Sequence, residues 1–103
     1  MKTLILADNV SGVTVAAQTG VSANATPFLE GRDVVLHVNS NGLTVTPTIL
    51  VQTSPDNVTW TTVATHTLLV NKQYNVKCGR YNRTNVTVGA GAGTYSAYMV
   101  NGA

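Results

Sequence analysis

The sequence predicts an all-β fold, a single-domain β-sandwich or jelly roll of about seven to nine short, mainly antiparallel strands. Three observations carry the prediction. Apolar and polar residues alternate with period two along most of the chain, and the alternating stretches are rich in β-branched Val and Thr. Turn signals built from Gly, Pro, Asn, Asp and Ser recur about every ten residues. No stretch holds a helical period. At 103 residues the chain is long enough for one domain and one core.

Taken in order, residues 2–7 read as a first strand, ended by Asp8-Asn9 and Ser11-Gly12. Residues 13–17 read as a second, with Val13 and Val15 on one face. Residues 18–31 are loop-like, punctuated by Gly20, Ser22, Asn24, Pro27 and Gly31, with Phe28-Leu29 as the anchor to the core. The first 25 residues are thus either two ordinary strands or an N-terminal arm able to strap onto a neighbour by strand addition. Residues 34–39 alternate Val34, Leu36, Val38 against Val35, His37. Asn41-Gly42 is a strong hairpin signal and leads into residues 43–53. Pro47 cannot donate a ladder hydrogen bond, so the strand is expected to bend there, with a change of sheet the further option.

The strongest single element is residues 48–65, two strands on a tight turn at Ser54-Pro55-Asp56-Asn57. Its second arm places Val58, Trp60, Thr62 and Ala64 on one face, with Trp60 as a core anchor. Residues 66–70 either extend that arm or begin another strand. Two more strands are expected over 73–80 and 83–88. A Gly/Ala connector at 89–93 leads to a closing strand over 94–100, with Tyr95, Ala97 and Met99 on one face and Tyr98 and Val100 on the other.

Composition narrows the function. The chain is 44% hydrophobic but only 10% charged, and Thr, Asn, Ser and Gly fill the polar positions. Such a surface is cheaper to desolvate than one of Lys and Glu, which suits burial against partners. The net charge is +2. The acids Asp8, Glu30, Asp33 and Asp56 all precede the bases Lys72, Lys77, Arg80 and Arg83, which suggests one mildly basic end. Four bases are too few for a nucleic-acid footprint. The single cysteine, Cys78, reads as a small buried hydrophobe. The apolar run near the N-terminus is too short for a signal peptide, and nothing approaches membrane-spanning length, so the expectation is a protein used without secretion.

No catalytic, cofactor or metal motif stands out. A triad of Ser54, Asp56 and His66 can be written on paper, but the turn already explains Ser54 and Asp56, and no nucleophile elbow accompanies them. The GAGAG run at 89–93 lacks the Lys and Ser/Thr of a phosphate loop. The best candidate contact surface is the late Arg/Tyr neighbourhood: Lys77, Arg80, Tyr81, Arg83 and Tyr98. Tyr and Arg are enriched where proteins meet.

Two segments carry a resemblance. One is the hairpin ILVQTSPDNVTWTTVAT; the other is RYNRTNVTVGAGAGTYSAYMV, an arginine-led strand, a Gly/Ala loop and a closing strand. Together they resemble small all-β structural proteins of tailed bacteriophages, above all capsid decoration (cement) proteins and related head or neck modules. The resemblance implies a non-enzymatic virion protein without cofactor, made in the host bacterial cytoplasm. It implies a protein bound to the outside of an assembled capsid, bridging neighbouring major capsid proteins, often as a homotrimer, with no direct role for nucleic acid or membrane. A tail or neck accessory module, or a glycan-binding sandwich using an exposed Trp60, is the alternative reading.

Overall fold

Alternation is realised as strands throughout the computed structural model, which describes residues 2–11, 21–22, 30–88 and 92–101. Among them are eight strands and no helix: β1 (Lys2–Ser11), β2 (Val21–Ser22), β3 (Asp33–Asn41), β4 (Thr48–Ser54), β5 (Thr61–His66), β6 (Lys72–Lys77), β7 (Tyr81–Val88) and β8 (Thr94–Asn101). They form two four-stranded antiparallel sheets, ordered β1-β8-β3-β6 and β2-β7-β4-β5. The chain changes sheet at every connection except β4–β5. That connectivity is the jelly-roll form of the β-sandwich.

The hairpin expected at 48–65 is therefore the one place where neighbours in sequence are also neighbours in a sheet. Its turn is not tight. Residues 55–60 separate the two strands, and Val58 is 78% exposed rather than part of a ladder. The Asn41-Gly42 signal does mark a turn, and Gly42 has φ +73°. It joins strands of different sheets rather than a hairpin, and residues 42–47 are loop. The break at Pro47 and the change of sheet there are both present. The expected strand at 13–17, the Phe28-Leu29 anchor and most of the GAGAG connector lie outside the described residues. Of the N-terminal segment, β1 pairs with β8 of its own chain from Lys2↔Asn101 to Ser11↔Thr94.

The core lies between the sheets. Leu4, Leu6, Leu36, Val38, Ala97 and Met99 come from one side, and Ile49, Val51 and Val86 from the other. Each fully buried aliphatic side chain of this size contributes about 1.5–3 kcal/mol through its removal from water. Among the described residues, two side-chain hydrogen bonds join a strand of one sheet to a strand of the other. Tyr95 on β8 meets Thr84 on β7, hydroxyl to hydroxyl at 2.8 Å, both residues fully buried. His66 on β5 meets Tyr74 on β6, Nδ1 to hydroxyl at 2.8 Å, tying the open edges of the two sheets.

His66 has no solvent exposure. Burial holds its pKa below the usual value; the Leu68 backbone opposes this in part, and the smaller effect of the Lys72 charge adds to the lowering. A histidine kept neutral in the fold protonates more readily once unfolded. Stability is thus present above the unfolded value near 6.5 and is lost as pH falls through it. We expect the thermal midpoint to fall between pH 7.5 and pH 5. In His66→Gln the fall should be shallower, although the variant starts from a lower midpoint at pH 7.5. Parallel melting curves for the two proteins would remove His66 as the acid-sensitive group.

Candidate functional site

Antiparallel alternation sends the connections to two ends of the sandwich, and the ends differ in chemistry. At one end lie the β3–β4 and β5–β6 connections, residues 42–47 and 67–71, and residues 92–93 ahead of β8, none of which contains a charged residue. These loops are tied to their surroundings and to one another. The backbone amide of Ser40 donates to Asn71 Oδ1 at 2.9 Å, and the amide of Ala92 donates to Thr44 Oγ1 at 3.1 Å. Gly93 packs its backbone against Gly42. The resulting platform exposes Val45, Leu68, Leu69 and Val70. Lys72, the first residue of β6, borders it with its ammonium drawn over the Tyr74 ring at 5.4 Å.

The opposite end gathers the β4–β5 and β6–β7 connections, residues 30–32 ahead of β3, and most of the charge of the described residues. Arg32, Lys77, Arg80 and Arg83 lie there together with Glu30, Asp33 and Asp56. The mildly basic end expected from the order of charges is reduced to a small excess of bases, because the topology returns most of the acids to the same place. Asp56 organises the β4–β5 loop. Its Oδ1 accepts from the amides of Thr59 (2.8 Å) and Val58 (2.9 Å) and from the Ser54 hydroxyl (2.9 Å). These bonds hold its carboxyl below the usual pKa, the Thr59 amide contributing most. Asn57 takes a left-handed φ of 63° to close the loop.

The loop delivers Trp60 to the outer face of the β2-β7-β4-β5 sheet. It is half-buried, and its ring lies under the Arg83 guanidinium, whose Cζ is 4.1 Å from the ring centroid. The core-anchor role expected for Trp60 is thereby corrected: the Asp56 bonds take residues 55–59 out of the ladder, so strand parity no longer fixes where Trp60 points. Arg83 is held from a second side. Gln52 is its cross-strand partner on β4 and accepts from Arg83 Nε at 2.8 Å. Gln52 Nε2 donates in turn to Thr62 Oγ1 on β5 at 3.3 Å. Near the start of β7, Arg80 lies 5.6 Å over the Tyr81 ring.

Of the five sequence candidates, Arg80, Tyr81 and Arg83 fall on one surface. Lys77 ends β6 at the same end of the molecule but belongs to the other sheet. Tyr98 points from the outer face of that other sheet, stacked on His37 with centroids 4.8 Å apart and planes at 11°. Ile5, Tyr98, His37 and Gln73 form one cross-strand row there. Beside it a cleft of about 510 Å³ is lined by His37, Asn39, Asn71, Lys72 and Gln73. Sequence reasoning missed Gln52 and the pairing of Trp60 with Arg83. It also missed the apolar platform, for which the uncharged composition of three alternate connections was the available signal.

Ser54 and Asp56 are bonded to each other in the charged-end loop, whereas His66 closes β5 at the other end on Tyr74. The paper triad is not assembled. Cys78 is buried as expected, which pushes its thiol pKa up and leaves little reactive thiolate. Among the described residues no group of His, Cys, Asp and Glu is placed to hold a metal ion, and no helix is long and apolar enough to cross a membrane. Comparison with family models, curated proteins and solved structures returned no match.

Proposed function

We propose that the chain is a structural, non-catalytic virion protein that docks on the outside of an assembled bacteriophage capsid and bridges neighbouring major capsid proteins. The observation that carries the reading is the apolar end. Exposed patches of this kind mark docking surfaces. Here the loops that present Val45, Leu68, Leu69 and Val70 are hydrogen-bonded in place before any partner arrives. Preorganised loops lose less entropy on binding. The charge-poor composition supports the same reading, and the resemblance of the hairpin and C-terminal segments supplies the virion context. Assembly as a homotrimer belongs to this proposal, as does a location on the capsid surface. Repetition over a shell adds avidity to a contact that is small in each copy.

The test is a double substitution, Leu69→Asp with Val70→Asp. Burying unpaired carboxylates costs several kcal/mol, so association with purified shells should weaken by about a hundredfold or more. Particles carrying the variant should release DNA at a lower temperature than particles carrying the wild type. Unchanged co-sedimentation with shells would remove the proposal. The cleft beside the His37–Tyr98 stack is what favours the second reading, a glycan-binding module, and saturable binding to a glycan array would support it instead.

A further inference from the structure

We propose that Arg83, seated on Trp60 and steered by Gln52, is a receptor for a carboxylate on an acidic segment of a partner protein. The site is independent of the shell-docking proposal, which rests on the opposite end of the molecule.

A guanidinium has five N–H donors in a planar fork. Here Nε is used by Gln52, and one face of the guanidinium lies over the indole. The four donors on Nη1 and Nη2 have no acceptor among the described residues, and Arg83 forms no ion pair there. Among the described residues, the edge that receives a carboxylate in two parallel hydrogen bonds is thus left open on a side chain that two neighbours already hold in place. The acid of the β4–β5 loop, Asp56, is engaged locally instead, its Oδ1 accepting from the Ser54 hydroxyl and the Val58 and Thr59 amides. Arg80 over Tyr81 repeats the pairing of arginine with aromatic on the same surface. Trp, Tyr and Arg are the residue types that dominate binding energy at protein interfaces.

The charge pattern selects the partner. Glu30, Asp33 and Asp56 are exposed at the same end. A polyphosphate backbone needs a continuous basic track, and these acids interrupt it. A single carboxylate placed at Arg83 meets only the local fork. An acidic peptide, not a nucleic acid, is therefore the ligand that the surface fits.

Trp60 is the only tryptophan, so its emission reports on this site directly. Poly-L-glutamate titrated into the full chain at low salt should change that emission saturably. Arg83→Gln should abolish the change. Arg83→Lys keeps the charge but not the fork, and should bind at least about tenfold more weakly. Gln52→Leu, which keeps the arginine and releases its Nε, should weaken binding by about threefold. Circular dichroism confirms that each variant is folded. No response to poly-L-glutamate, or equal affinity in Arg83→Lys, would overturn the assignment. So would tighter binding of inorganic polyphosphate than of poly-L-glutamate, since the site would then read phosphate.

Discussion

Gly93→Ala is expected to be among the most damaging single-methyl additions in the chain. Gly93 has φ +97°, where L side chains are strained. Its Cβ would also run into the backbone carbonyl of Gly42 and come within 2.6 Å of the Leu43 amide nitrogen. The obstacle is main chain on a neighbouring loop, so no rotamer change relieves it. Backbone strain and overpacking together should cost about 3 kcal/mol. For a domain of this length that lowers the thermal midpoint by more than about 10 °C. Gly42→Ala is the control. Gly42 also has a positive φ, +73°, but its Cβ would find only the Gly93 Cα at 4.0 Å. It should lose about 1 kcal/mol, the strain alone. Melting curves of the two variants side by side measure the difference, and equal midpoints would show that the loops part freely. If they do not part freely, Gly93→Ala also displaces the apolar platform, and shell association should fall with stability.

The platform also shows where local sequence stops being informative. The closing strand was legible because Tyr95, Ala97 and Met99 face a core that demands strict alternation. The 48–65 hairpin was legible because both its strands and its loop are local. Asn41-Gly42 misled because a turn signal reports backbone conformation, not destination. The path of the chain beyond Gly42 is decided by distant pairings: β3 lies between β8 and β6, whereas β4 lies between β7 and β5. Trp60 misled for a related reason. Val63 has no partner on β4, since Val51 pairs with Ala64 and Gln52 with Thr62. Parity counted through that irregularity and through the Asp56 loop cannot be carried from one arm to the other. The Arg83 site was half legible. Residue type singled out Arg80, Tyr81 and Arg83, but Gln52 and Trp60 reach them only because β7, β4 and β5 are successive strands of one sheet.

Asn82→Asp is expected to have the other large effect, and to have it in a pH-dependent way. Asn82 is fully buried at the start of β7. Its Oδ1 accepts from the Gly79 amide at 3.0 Å, and its Nδ2 donates to the Gly79 carbonyl at 3.0 Å and to Cys78 Sγ at 3.5 Å. The side-chain amide thus acts as a peptide partner for a turn that carries the chain from one sheet to the other. That turn is seated closely on β4, where a Cβ on Gly79 would come within 2.7 Å of Thr53 Cβ. Aspartate has the same shape but, when ionised, no donor. It would leave the Gly79 carbonyl with only the weak Cys78 thiol as donor and place a buried negative charge beside it, at a cost of about 3–5 kcal/mol near neutral pH.

The sign of the pH dependence separates this effect from that of His66. Burial raises the folded pKa of the new carboxyl above its unfolded value near 4. As pH falls from 7 toward 5, the folded variant takes up a proton and regains a donor for the Gly79 carbonyl. Asn82→Asp should therefore recover relative to wild type over the range in which wild type itself weakens. Chemical denaturation of both proteins at pH 7 and pH 5 measures this, and a gap that stays constant or widens on acidification would contradict the assigned hydrogen bonds. The same turn carries Arg80, Tyr81 and Arg83 onto the sheet surface. A variant with a loosened turn at pH 7 should consequently lose carboxylate binding and recover it with stability at pH 5, which would place fold and recognition under the control of one buried amide.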